Sequence, residues 1–455
     1  MADPEIGGNP YQQLLKRFAI TLLLGVVVYR LGAWVPVPGI NVDVLRDRIS
    51  GDGSGEGAVD AVLRWANMFN GGTIANGSVF GLGIMPYISA SIIIQLMAFS
   101  FPALKALQKE GEVGKRKLNQ YTRYVTVGIC SVQSLLAGLA LAKLDSGVFL
   151  QAGVNQAQFI AQTVLVVTCG SMVLLWLAEQ ITKHGVGNGV SVIIMIGILA
   201  GFPPAIGAMF DDPNTDLSKF LLLAGVFILI VAGMVVVTQA RRFLNMEQQR
   251  RVKGNQVYGG ANTKLPLMLN QAGVIPVIFS SPVMVVLVMA FSGIGLAGLL
   301  DHGGPGYRYL FAAMIVFFTY FYISITVDLN DWANNFKQSG FFVRGIKPGR
   351  NTVDYIHRIL MRITFIGAIS LAVITIMPSA LGTALGLSGP VAQMILGGVG
   401  LLIVVGVSLD VIQKVSAFLL AHQYQGMMAG GGPGGKPGGA PASSRYGKKA
   451  ASKRF

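Results

Sequence analysis

Ten runs of about 20 apolar residues follow one another along this chain, each long enough at about 1.5 Å per residue to cross a hydrocarbon layer as a helix. They cover 18–38, 79–101, 122–142, 158–178, 189–209, 219–239, 271–294, 309–327, 363–386 and 391–412. Over its 455 residues the chain is 53% hydrophobic and only 12% charged. A water-soluble domain of that composition would expose far too much apolar surface, so the chain is read as an all-α, polytopic membrane protein. Residues 1–17 form a polar N-terminal segment; no small-residue cleavage site follows the first run, which is expected to be retained.

Cations set the orientation. Lys16 and Arg17 precede the first run, Lys105 to Arg123 follow the second, and six Lys or Arg lie in each of the loops 240–270 and 329–362. The intervening loops hold Asp211, Asp212 and Asp216 after the fifth run, Asp301 and Arg308 after the seventh and no charge between Pro378 and Pro390, while Arg46, Arg48 and Arg64 share theirs with five acids. Both termini are therefore expected to be cytoplasmic. The net charge of +15 would suggest nucleic acid in a soluble protein, but here topology explains most of it. Only the two long basic loops exceed what a connection needs, and two partners suit them equally: an acidic protein surface or anionic lipid headgroups.

No catalytic constellation is present. Cys130 and Cys169 sit singly inside apolar runs, the four histidines have no metal spacing, and no Walker, HExxH or GxSxG pattern occurs, so neither a metal nor a cofactor is expected. "GVGNGV" (185–190) follows a membrane run rather than a strand and reads as a tight turn. Secondary transporters keep ionisable groups near the midplane for ion coupling, whereas charges here sit at run ends, as with Arg30, Glu179, Asp328 and Asp410. The polar groups inside the runs are uncharged, among them Ser89, Ser91, Gln95, Ser131, Gln133, Ser134 and Asn270. They suit interhelical hydrogen bonding or a polar seam that opens.

The second run starts badly for a membrane helix, with Gly81, Gly83 and Pro86. Just before it, "VDAVLRWANMFN" (59–70) places Val62, Ala66 and Phe69 on one face of a short helix stopped by Gly71 and Gly72. That helix either lies on the surface or re-enters the protein, where irregular backbone is tolerated only under cover of protein or beside a cavity.

"NMFNGG" (67–72), "FGLGIMPYISASIIIQL" (80–96), "EQITKHGVGNGVSVII" (179–194), "LPLMLNQAGVIPVIF" (265–279) and "GIKPG" (345–349) closely resemble the SecY family of protein-conducting channels, in order, from about residue 10 to 425. The resemblance implies ten transmembrane helices in two inverted five-helix halves around a central pore. The halves are 18–204 and 219–425, joined by a hinge loop at 205–218, and a re-entrant plug occupies about 59–77. Residues 426–455 lie beyond it and read as a disordered, basic Gly/Pro-rich tail.

Carried over by motif, the pore constriction comprises Ile84, Ile88, Val190, Ile194, Ile278 and Ile403; the plug includes Asn67, Met68, Phe69, Asn70, Gly71 and Gly72; and the lateral gate has Ser89, Gln133 and Asn270 at its seam. Cytosolic docking falls to Arg250, Arg251, Lys253 and Lys347. Lys347 stands where the family usually has arginine, which keeps the charge but loses the bidentate fork; Asn255 and Gln256 stand where many relatives have arginines. The implied function is passage of unfolded secretory polypeptides across a bacterial inner membrane, with sideways release of transmembrane segments into lipid. The implied partners are SecE and SecG-like small membrane subunits, the SecA motor ATPase, the ribosome, signal-sequence-bearing polypeptides and anionic lipids. The competing classes are a secondary solute transporter and a poreless assembly factor.

Overall fold

The structure is a computed structural model that describes residues 10–50, 67, 70–144, 155–211, 217–248, 251–253, 256–258, 262–293, 304–327, 329–338, 340–343, 345–346, 350–384 and 397–428. A helix lies on every one of the ten apolar runs. The first is α1 (Pro10–Leu22), which passes through a wide π turn at Leu23–Val28 into α2 (Tyr29–Ala33). A short surface helix α3 (Val42–Ser50) and a chain of turns over 70–84 lead to α4 (Met85–Ser100). Next come α5 (Pro102–Lys109), α6 (Glu112–Leu144), α7 (Gln156–His184), α8 (Gly189–Asp211) and α9 (Leu217–Gln239).

Strands β1 (Arg241–Gln248), β2 (Arg251–Lys253), β3 (Gln256–Tyr258) and β4 (Asn262–Met268) follow. The remainder is α10 (Ile275–Gly293), α11 (Pro305–Thr326), α12 (Leu329–Gln338), β5 (Phe341–Val343), α13 (Arg350–Ala384) and α14 (Gly398–Met428). Among the described residues, five helices are long and apolar enough to cross a membrane, within Gln156–His184, Phe220–Gln239, Gly306–Thr326, Asn351–Gly382 and Gly398–His422; the bent pair α4 and α5 passes the same test together.

The ends of the runs differ from expectation for local reasons. The second run becomes helical at Met85 rather than 79, because Gly71, Gly72, Gly77 and Gly83 all take positive φ and Pro86 fits the first helical turn. The break between α4 and α5 is a 107° bend at Phe101. Phe101 is extended (φ −101°, ψ 119°), the conformation that a following proline enforces. Helix α8 runs to Asp211, well into the expected hinge loop, and α14 continues to Met428, past the start of the expected tail. The short helix expected over 59–70 falls outside the described residues, apart from Asn67 and Asn70, as does the tail beyond Met428.

Helix α6 has 33 residues and α13 has 35, well beyond the roughly 20 that a bilayer needs. The surplus turns carry the cations, Lys115 to Arg123 on α6 and Arg358 and Arg362 on α13. Hydroxyls inside the apolar helices bond mostly to their own helix: Thr122 to the Leu118 carbonyl (2.9 Å), Thr319 to Ile315 (2.7 Å) and Thr375 to Leu371 (2.7 Å). Ser131 and Ser134 do the same with Val127 (2.8 Å) and Ser131 (3.1 Å), so neither is a tie between helices.

Two apolar clusters organise the bundle. One unites α9, α10, α11, α13 and α14 around Met234, Met284, Ile315, Leu371 and Leu402. The other joins α2, α4, α7 and α8 to α14 through Leu174, Ile181, Val192, Ile403 and Val407. The early and late helices thus meet chiefly along α8 and α14, where Ile198 packs on Gly400, Val411 lies against Gly187 and the Ser408 hydroxyl donates to Met195 Sδ (3.6 Å).

The loops 240–270 and 329–362, read from the sequence as separate connections, fold together. Strand β1 pairs antiparallel with β4 (Leu244 opposite Leu265) and on its other side with β5 (Met246 opposite Val343). Leu244, Leu267 and Val343 form a small core with Ile359 and Ile363 of α13, covered by Trp332 of α12.

Candidate functional site

Four helices converge on one apolar waist. Ile84 ends the turns before α4 and Ile88 lies four residues on, a spacing that puts both on one face. Val190 and Ile194 repeat that spacing on α8, while α10 supplies Ile278 and α14 supplies Ile403. All six belong to a single packed cluster, with Ile84 and Ile403 buried and the other four half-buried. Five of them, all but Val190, line one cavity together with Tyr29, Asn70, Met85, Ile193 and others. Its volume of about 20 Å³ holds one water at most, and its walls are mainly aliphatic, the kind of space that stays dry. A ring of this kind opposes ions by dewetting yet deforms around a side chain without binding it.

One edge of the cavity is formed by the chain just past the expected plug helix. Asn70 is 9% exposed, and its Nδ2 donates to the Gly81 carbonyl (2.9 Å) while its own carbonyl accepts from the Tyr29 hydroxyl (3.1 Å). Gly71 takes φ +62° and lies so close to the Gly197 carbonyl that any Cβ would collide with it. Gly72 follows at φ +84° and donates its N–H to the Asn67 carbonyl (3.0 Å). Met68 and Phe69 fall outside the described residues.

The three expected seam residues do not touch one another through any hydrogen bond among the described residues. Ser89 and Gln133 are half-buried on α4 and α6, and Asn270 is buried in the turn before α10, where its backbone rests against Gly367 of α13. Helix α4 packs extensively on α6, and α10 on α11. Among the described residues, neither α4 nor α6 packs more than glancingly on α10 or α11. The aromatic contacts of Phe279 with Phe318 (6.2 Å) and Tyr322 (6.4 Å) bind α10 and α11 into one unit.

Of the expected docking residues, Arg250 and Lys347 lie outside the described residues, while Arg251 and Lys253 sit on β2, opposite Tyr258 and Gln256 of β3. The structure adds a surface that the sequence reading did not single out: Arg241, Arg242 and Phe243 on β1, with Lys264 on β4, are exposed on one sheet. At the charged ends of α6 and α7, Arg123 grips Glu179 through two hydrogen bonds (2.9 and 2.7 Å). Among the described residues no three His, Cys, Asp or Glu side chains gather as a metal site.

A family model described as SecY matches residues 78–412. The protein translocase subunit SecY of Rickettsia felis is 40% identical over 430 residues, which covers 91% of this chain and 96% of that one. Its counterpart from Escherichia coli (strain K12) is 36% identical over 424 residues, covering 90% and 93%. Among solved structures, one described as a protein conducting channel aligns with a TM-score of 0.59 at 16% identity, covering 90% of this chain and 94% of that one. A structure concerned with the plug domain of the SecY protein and the closed state of the translocation channel aligns at 0.56 and 17%, with the same coverage. Sec61 in a canine ribosome-channel complex aligns at 0.57 and 15%, again covering 90% and 94%.

Proposed function

The chain belongs to the SecY family, and from that premise we infer that its six-residue waist is the constriction of a pore and that the segment over about 59–77 is the plug that closes it. It is a protein-conducting channel subunit of the Sec translocase, a multi-pass membrane protein and not an enzyme. The observation that carries the pore assignment is the convergence of Ile84, Ile88, Val190, Ile194, Ile278 and Ile403, from opposite ends of the sequence, on one packed cluster around a small apolar void. Polypeptide enters unfolded because such a collar passes only one strand at a time, and the driving energy comes from partners.

The two halves, 18–204 and 219–425, hinge at the loop 205–218, beside the packing of α8 on α14, and part where α4 and α6 face α10 and α11. The sparse packing across that second boundary supports it as a lateral gate, with Ser89, Gln133 and Asn270 near it. A hydrophobic segment in the pore parts the seam because lipid competes for its apolar surface. The joined basic loops form a cytosolic platform for the ribosome and the SecA motor, with Arg250, Arg251, Lys253 and Lys347 on it. The relationship to Sec61 in a ribosome-channel complex supports the ribosome as a partner. SecE and SecG-like subunits and anionic lipids complete the assembly in a bacterial inner membrane, both termini facing the cytosol.

Planar bilayers containing the full-length protein test this reading. Deleting residues 60–72 should raise idle ion conductance, and Ile88→Gly or Ile278→Gly added to the deletion should raise it further. Bilayers that stay tight through both changes would overturn the pore assignment.

A further inference from the structure

We propose that Thr21 is a positioning residue of the channel: by holding the Val186 N–H, its hydroxyl sets how far along its axis α8 places Val190 and Ile194, two of the six waist residues. The inference rests on the pore reading above and adds a residue that shapes the constriction without lining it. The turn 185–188 delivers α8 from the end of α7, and Val190 is the second residue of that helix. Whatever fixes the turn therefore fixes the depth of Val190 and, about one helical turn on, of Ile194.

Side chains hold the N–H groups of this turn. Thr21, near the end of α1, donates its hydroxyl proton to the Arg17 carbonyl (2.9 Å), and the same oxygen accepts from Val186 N–H (3.0 Å). Thr182 on α7 repeats the device, donating to the Ala178 carbonyl (2.8 Å) and accepting from Gly189 N–H (2.8 Å). Asn188 caps α8 by accepting from Val190 N–H (3.2 Å). Thr182 and Asn188 belong to α7 and to the turn itself, whereas Thr21 lies 165 residues from Val186 and ties the turn to a different helix. Glycine makes the approach possible: a Cβ on Gly185 would strike the Thr21 hydroxyl, and Gly187 takes φ +89°. The same N-terminal segment meets α8 again past the waist residues, where Ile196 lies on Gly25 of the π turn, too close for any Cβ there. Val190 and Ile194 are thus bracketed by a polar contact at Val186 and an apolar one at Ile196. Val186 is 8% exposed, so loss of the Thr21 oxygen leaves a buried donor unmet and the turn shifts to find another partner.

The test records idle ion currents in planar bilayers, for the full-length chain and for the chain with residues 60–72 deleted, as wild type, Thr21→Val, Thr21→Ser and Thr375→Val. Valine keeps the shape of threonine without its hydroxyl, and serine keeps the hydroxyl. Thr375→Val removes a buried hydroxyl that bonds within α13 (2.7 Å to the Leu371 carbonyl) and controls for a general loss of stability. With 60–72 deleted, Thr21→Val should raise the current about fivefold, while Thr21→Ser and Thr375→Val leave it at the level of the deletion alone. Combined with Val190→Gly and Ile194→Gly, Thr21→Val should raise the current no further, because the residues that it positions are gone; combined with Ile278→Gly on α10, its effect should persist. If Thr21→Val does not fold, Thr182→Val frees the same turn and is read in the same way. A current unchanged by Thr21→Val beside a conducting Ile278→Gly overturns the positioning role. A current that rises equally on top of the Val190 and Ile194 changes also overturns it. If Ile278→Gly and the deletion together leave the bilayer tight, the pore reading itself has failed and the inference falls with it.

Discussion

Gly398 sits where α14 crosses α13, and a Cβ there would run into the Thr375 carbonyl oxygen. Valine at that position forces the two backbones apart, at about 1–3 kcal/mol for overpacking. Gly398→Val should accordingly lower the thermal unfolding midpoint of the detergent-solubilised protein. Gly225→Ala on α9, where nothing lies within 4 Å of the added carbon and alanine is the better helix former, should not lower it. The Arg123–Glu179 pair is a second single-residue test. Its side chains are 46% and 27% exposed, so solvent screens the attraction in spite of the two-pronged geometry. A double-mutant cycle with Arg123→Ala and Glu179→Ala should return a coupling of about 1 kcal/mol or less that shrinks with added salt. The Gly398 contact was not readable in advance, because a close approach between helices leaves no mark on the sequence of either one.

The sheet is the element that the sequence concealed. The membrane helices were legible because apolar run length is a local property, and the late start of α4 was legible because glycine and proline punctuate the chain locally. Strand β1 carries a faint alternation, with Leu244 and Met246 buried between exposed Phe243 and Asn245, but its cations dominate the composition. Its pairing with β5 joins two loops separated by α10 and α11, a contact to which no neighbouring residue testifies. The six proposed collar positions were reached only through motif resemblance, since these isoleucines and valine differ in nothing but position from others on the same helices. Leu244→Asp tests the sheet as a unit. It places a carboxylate among Leu267, Val343, Ile359 and Ile363, a burial that costs several kcal/mol and has no partner among them. Limited proteolysis should then cut within 241–268, while helix content and idle bilayer conductance remain those of the wild type.

At the scale of the whole molecule, one boundary is tied and the other is nearly bare. Helices α8 and α14 are locked by Ile198 on Gly400 and Val411 on Gly187, with Arg17 of α1 over the Phe418 ring (5.0 Å) beside them. Helices α4 and α10 both reach the cavity, through Ile88 and Ile278. On the proposed reading, a body built this way swings about the tied side and opens the pore and the seam in one movement. Bridging Ile88→Cys to Ile278→Cys with a short thiol cross-linker should hold the waist shut. Exposed Cys169 is first replaced by serine, while Cys130 is buried and remains. Cross-linked protein in vesicles should then stop both import of a secretory polypeptide and integration of a membrane segment, and cleavage of the linker should restore both. If integration persists with the waist bridged, the seam opens independently of the pore and the single-hinge motion is wrong.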